Sequence, residues 1–214
     1  MIFDSASSIS SPARPDPMPY APDCVFEVLA QTRASAIQSV TRSAPASALF
    51  LRAFAVVGRG AVLETARGDV AIEDLMPGDR VMTSSGRAEA LTWRGSVTLD
   101  PETSEDLRLT RVPVDAYGPG RPATDTVFGP GAMRVHRTTT LCARLGASAG
   151  MSPLVDCADE GAMIPITPVA PVAFFQLGFA RQCGLKIGGV EIASLFAAQS
   201  GLDRIAPATR ATYL

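Results

Sequence analysis

The chain has 214 residues, 47% of them hydrophobic and only 6% aromatic, with a formal net charge of −2. That length suits one ordinary domain with tails, and its core must come mainly from Val, Leu, Ile and Ala. The Arg residues are scattered rather than gathered in a basic stripe, which excludes the footprint of a nucleic-acid binder; the longest apolar run, Leu49 to Val57, is broken by Arg52 and is too short to span a bilayer.

Residues 1–23 are rich in Ser and Pro and lack the cationic start and apolar core of a secretory signal. Their composition predicts a disordered tail. The expected location is cytoplasmic, or outside the cell by a route that needs no N-terminal signal. Residues 24–52 predict a helical arm and linker: Phe26, Leu29, Ala30, Ile37 and Val40 fall on one helical face, interrupted by Arg33. Asp23 suits its N-cap, and Pro45 breaks the pattern. Together residues 1–42 are the expected docking route for a protein partner, because tails of this composition often order on binding. The sequence leaves the oligomeric state open.

From residue 53 to 196 the pattern changes to short strands with frequent Gly and Pro. Val62, Leu63, Val70 and Ile72 lead into Leu75-Met76-Pro77-Gly78-Asp79-Arg80-Val81, and a second turn, Ser84-Ser85-Gly86, leads to Leu91-Thr92-Trp93. This reads as strand, turn, strand, tight turn, strand, with Gly at the reversals, and it predicts an all-β domain. Asp79 in its Gly-Asp turn is expected to bond backbone, and Trp93 to join the core. Leu107 to Arg111 suggests another strand. The glycines and prolines that follow, including Gly118, Gly120 and Pro122, suggest a shaped loop with positive-φ turns. Residues 197–214 form a C-terminal tail.

Cys24, Cys142, Cys157 and Cys183 show no Cys-x-x-Cys spacing, and His136 is the single histidine. No metal and no cofactor are expected. Free thiols are the expected state, with a Cys142–Cys157 disulfide as the alternative.

The order of these motifs resembles the Hint fold shared by Hedgehog C-terminal domains and inteins, most of all its bacterial branch. Members of that branch open with Cys-Phe-x-x-Gly-Thr-x-Ile-x-Thr, followed by Val-Glu-x-Leu-x-x-Gly-Asp-x-Val and Arg-Trp-Ile-Gly blocks. Here the first becomes Val56-Val57-Gly58-Arg59-Gly60-Ala61-Val62-Leu63-Glu64-Thr65, the second Ile72 to Val81, and the third Thr92-Trp93-Arg94-Gly95. The loop around Gly118 and Gly120 and the segment Val127 to Val135 continue the match, with Pro130 on the family proline. Val172 to Cys183 is similar to the family's Val-x-Tyr-Phe-His-Ile-x-Leu-Asp-x-His-x-x-Val.

The resemblance implies a fold of many short strands with two pseudo-twofold-related β subdomains. It also implies an N-to-S or N-to-O acyl shift at the first residue of the domain. The residues for that chemistry are replaced. The nucleophile position is Val56, the family's amide-polarising histidine falls on Ala132 or, in the other register, Met133, and two further histidine positions hold Gln176 and Gln182. The expectation is a degenerate Hint domain without catalysis, acting as a structural or protein-interaction module. The alternative is an autoprocessing domain with an unrecognised nucleophile, for which His136 and Cys183 are the candidates. The nearest hydroxyls in sequence are Ser47 and Thr65.

Overall fold

The computed structural model describes residues 23–32, 35–101, 107–157 and 162–195. The expected tails, 1–23 apart from Asp23 and 197–214, lie outside the described residues.

The first two elements are strands, β1 (Asp23–Gln31) and β2 (Ile37–Pro45), paired antiparallel along their full length from Asp23↔Pro45 to Gln31↔Ile37. The helix expected over residues 24–42 is therefore corrected to a β-hairpin. Buried Phe26 and Leu29 are three apart and imitate a helical stripe, yet β1 runs between β2 and a strand of the main sheet. The hairpin closes through Thr32 N–H to Ala36 carbonyl at 2.8 Å, with Ser35 at a φ of 62°. No Gly, Pro or Asn stands there to mark a turn.

A short helix does precede the domain. α1 (Ala48–Phe54) is capped by Ser47, whose Oγ accepts from Phe50 N–H at 3.3 Å. Then follow β3 (Val57–Gly58), β4 (Val62–Thr65), β5 (Gly68–Ala71), β6 (Arg80–Met82) and the long β7 (Ala88–Leu99). Next come β8 (Leu109–Val112), β9 (Thr126–Phe128), β10 (Met133–His136), α2 (Thr139–Leu145), β11 (Gly150–Pro153) and β12 (Ile164–Ile166). β13 (Val172–Phe179), β14 (Gly184–Ile187) and β15 (Val190–Ala193) complete the described chain.

An 11-stranded sheet runs β12-β8-β9-β3-β13-β7-β6-β4-β5, with β1 added on β7 and β2 on β1; a 4-stranded sheet runs β11-β10-β15-β14. The described protein is mostly β, as the sequence pattern leads one to expect.

β13 is the central strand. It pairs with β3 through Phe175↔Val57 and with β7 from Val172↔Leu99 onward, and its residues from Phe174 to Phe179 are all buried. Phe175, Leu177 and Phe179 enter one core with Val56, Val57, Leu63, Leu75 and Phe128. Phe174 enters a second core with Phe26, Phe50, Phe54, Leu99 and Leu109. In that second core Phe50 stacks on Phe54 with centroids 4.6 Å apart, and Phe54 meets Trp93 edge-on at 5.5 Å. The Trp93-Arg94-Gly95 run now has a physical reading. A side chain at Gly95 would collide with the Trp93 ring and sit 2.7 Å from Phe54. Buried Arg94 reaches from β7 to the carbonyls of Glu73 and Leu75, the latter at 2.8 Å, fixing the turn ahead of β6, while its guanidinium carbon lies 5.7 Å above Phe175.

Candidate functional site

The site is built around the Ala55–Val56 peptide, at the junction of α1 and β3. Ala55 is the C-cap of α1 at φ −92° and ψ 74°, so the chain turns sharply there before pairing with β13. Ala55 and Val56 are both buried.

The loop between β9 and β10 closes over this peptide. Gly131 N–H donates to the Ala55 carbonyl at 2.8 Å, and Gly129 N–H donates to the Val56 carbonyl at 2.9 Å. Glycine is needed at both positions because backbone meets backbone. A Cβ at Gly129 would strike the Ala55 carbonyl, and one at Gly131 would lie 2.7 Å from the Leu51 and Arg52 oxygens. Pro130 stands between them, and Ala132 follows, buried in the same core as Val56 and tied to Leu154 N–H through its carbonyl at 2.8 Å. Val56 and Ala132 thus belong to one core, and the residues just before them, Ala55 and Gly131, are joined by a backbone hydrogen bond. Met133 is the first residue of β10 and is half-buried.

Gln176 joins this arrangement from β13. Arg59 N–H donates to Ala173 at 2.9 Å, and the same alternation would carry Leu177 N–H to the Ala55 carbonyl. That carbonyl is held by Gly131. Leu177 N–H donates instead to the Gln176 Oε1 at 3.0 Å, so a buried amide side chain satisfies a donor the ladder leaves behind. The chain beyond β15 returns to the same strand, where Leu195 N–H donates to the Leu177 carbonyl at 2.9 Å.

The other sequence candidates lie apart from the Ala55–Val56 bond network. Gln182 is exposed and its amide nitrogen is 3.8 Å from Met151 sulfur. Cys183 donates its thiol to the Arg181 carbonyl at 3.3 Å, and its N–H donates to Ser194 Oγ at 2.9 Å. Burial first, and then Glu89, push that thiol's pKa up, the opposite of what activates a cysteine. His136 bonds Ser152 Oγ through Nε2 at 2.8 Å, and Ser152 in turn lies 3.7 Å from Cys157 sulfur. The four cysteines are free. Both neighbouring hydroxyls are engaged in turns and caps: Ser47 caps α1, and Thr65 donates to Gly68 carbonyl at 2.7 Å within the β4–β5 turn.

The framework residues shape reversals. Gly60, Gly78, Gly118 and Gly120 all have positive φ, at 84°, 102°, 107° and 71°. Asp79 accepts from Met76 N–H at 2.9 Å and pairs with Arg67 at 2.5 Å. Glu73, which sequence reasoning missed, locks the turn after β3 by accepting from Gly60 N–H at 2.9 Å. Burial works to raise its pKa, but the bonds from Gly60 and Arg59 outweigh it and the carboxyl sits below its ordinary value. Among the described residues no group of three His, Cys, Asp or Glu is placed to hold a metal ion, and no helix is long and apolar enough to cross a membrane.

The Hint domain family model matches residues 56–199, beginning at Val56 itself. Among solved structures, the chain is similar to a splice-inactive variant of the AceL NrdHF class 3 split intein, at 12% identity over 65% of this chain and 97% of that one, with a TM-score of 0.43. It is similar to a bacterial intein-like domain from Clostridium thermocellum at 11% identity over 66% and 98% of the two chains, TM-score 0.41. It is also similar to the gp41-1 intein at 8% identity over 64% and 96%, TM-score 0.39. No curated protein matches. With more than half of its residues matched by the family model, the chain belongs to the Hint domain family.

Proposed function

We propose that this Hint domain no longer carries out the acyl shift and serves as a structural or protein-interaction module. One observation carries the reading. The peptide bond where the shift would start joins buried Ala55 to buried Val56 and is held by Gly131, and the residue that follows this clamp is Ala132, in the same core as Val56. Neither Val56 nor Ala132 bears an atom that can attack a carbonyl or deliver a proton. Where the family resemblance implies a thiol and an imidazole, two aliphatic groups complete a core, a replacement that packs easily because a free cysteine behaves as a small hydrophobe.

A second observation supports it. The described residues ahead of Val56 are packed into the domain. β1 is hydrogen-bonded to β7 from Phe26↔Val97 to Ala30↔Trp93, and Phe26, Phe50 and Phe54 supply much of the second core. The partner-docking role expected of residues 1–42 therefore rests on residues 1–22 and on the outer edge of β2, because β1 is occupied.

The rival reading, autoprocessing through an unrecognised nucleophile, has Cys183 and His136 as its candidates. Cys183 has a raised pKa, and His136 is bonded to Ser152. The test is hydroxylamine treatment of the wild-type chain beside the Val56→Cys variant and the Val56→Cys/Ala132→His double variant, read by mass spectrometry under denaturing conditions. The proposal expects no cleavage of wild type, and cleavage between residues 55 and 56 only once the side chains are restored. Hydroxylamine-dependent fragments from wild type would contradict it. Denaturing conditions matter, because a chain cut at this bond would be held together by the second core.

A further inference from the structure

A separate cavity of about 390 Å³ lies where the β6–β7 turn meets the β13–β14 turn, lined by Ser84, Ser85, Arg87, Arg137, Arg181 and Cys183 among others. Its volume falls in the lower part of the range of about 300–1,000 Å³ typical of small-molecule sites. Two of its arginines are paired with acids. Arg137 bonds Glu191 through Nε at 3.0 Å and Nη2 at 2.8 Å, and Arg181 pairs with Glu89. Glu89 lines the cavity beside Arg181, whereas Glu191 does not; both acids are less exposed than their partners, with side chains of Glu191 and Glu89 19% and 25% exposed against 49% and 60% for Arg137 and Arg181. Each pair uses only part of a guanidinium's five or so N–H donors. Arg87 adds a third positive charge against these two acids, so the cavity carries an excess of one.

The walls are fixed rather than loose. Ser84 N–H donates to Gly184 carbonyl at 2.8 Å, joining the two turns, and Ser84 Oγ donates to Glu191 at 2.5 Å. Polar walls and guanidinium forks disfavour an apolar ligand and match the bidentate geometry of an oxyanion.

We propose that this cavity binds a small oxyanion, a carboxylate or phosphate group, held by Arg87, Arg137 and Arg181. The site contains neither Val56 nor Ala132.

The test is an NMR titration of the full-length protein with inorganic phosphate and, separately, with N-acetylglycine, at constant ionic strength. The expected result is saturable shifts of amides in residues 83–87 and 181–184 for at least one of them; the tighter binder names the source of the oxyanion. Arg87→Gln should weaken that binding about tenfold or more, and Arg87→Lys less. Because the Arg87 side chain is exposed, thermal unfolding of both variants should match wild type. Non-saturable or delocalised shifts with both probes would overturn the proposal, as would undiminished binding by a folded Arg87→Gln.

Discussion

At Gly131 the chain has no room for even one more carbon. A Cβ there would press on three backbone oxygens, those of Leu51, Arg52 and Ala55, the last at 2.9 Å. Gly131→Ala must therefore lift the loop from the Ala55–Val56 peptide and weaken the bond to the Ala55 carbonyl. The expected loss of stability is about 1–3 kcal/mol, seen as a lower urea midpoint at an unchanged slope. An unchanged midpoint would mean that the loop does not clamp the peptide. Charge is decisive at Glu191. Burial acts to raise its pKa, but Arg137 and Ser84 outweigh that and hold it below the ordinary 4.5. The stability it contributes is therefore complete above pH 4.5 and is lost as the pH falls through the lower folded value. Urea midpoints measured from pH 7 downward should drop in that acid range, and Glu191→Gln should start lower at pH 7 and fall less. A variant that tracks wild type in parallel would remove Glu191 from the account.

Among the elements, the hairpin of β1 and β2 separates an attached arm from an integral part of the domain. Phe26 touches both Phe50 and Phe54, with centroids 5.0 and 4.9 Å away. Phe26→Ala should cost about 3–5 kcal/mol, the usual range for a buried aromatic, measured by chemical denaturation. A loss below about 0.5 kcal/mol, the usual scale of a surface substitution, would show that the hairpin is a loosely held appendage. The same element shows what the sequence hid. Phe26, Leu29, Ala30, Ile37 and Val40 fit a helical face, and only the pairing of β1 with β7, a long-range contact, decides between the two periods. Its turn gave no warning, because Ser35 takes the positive φ usually left to Gly or Asn. By contrast, the reversals at Gly78-Asp79 and Ser85-Gly86 were legible because their residue types fit the bends. At the candidate site, the resemblance that sets Val56 on the family's thiol position and Ala132 or Met133 on its histidine position could be read from the chain. The Gly131 clamp, the Gln176 cap on Leu177 and the Glu73 lock on Gly60 could not, since each joins residues by geometry that no motif records.

For the molecule as a whole, the two cores meet along β13, and the Ala55–Val56 bond lies at their junction: Ala55 belongs to one core and Val56 to the other. In this Hint domain the peptide at the start of the family match is an interior one. The central claim is that this peptide stays intact. The most direct measurement is the intact mass of freshly purified full-length chain, followed for a day with and without dithiothreitol under denaturing analysis. The account predicts a single unchanged mass near 22.3 kDa in both samples. Appearance of a fragment corresponding to residues 1–55, faster with thiol, would contradict it and show that an acyl shift operates at Val56.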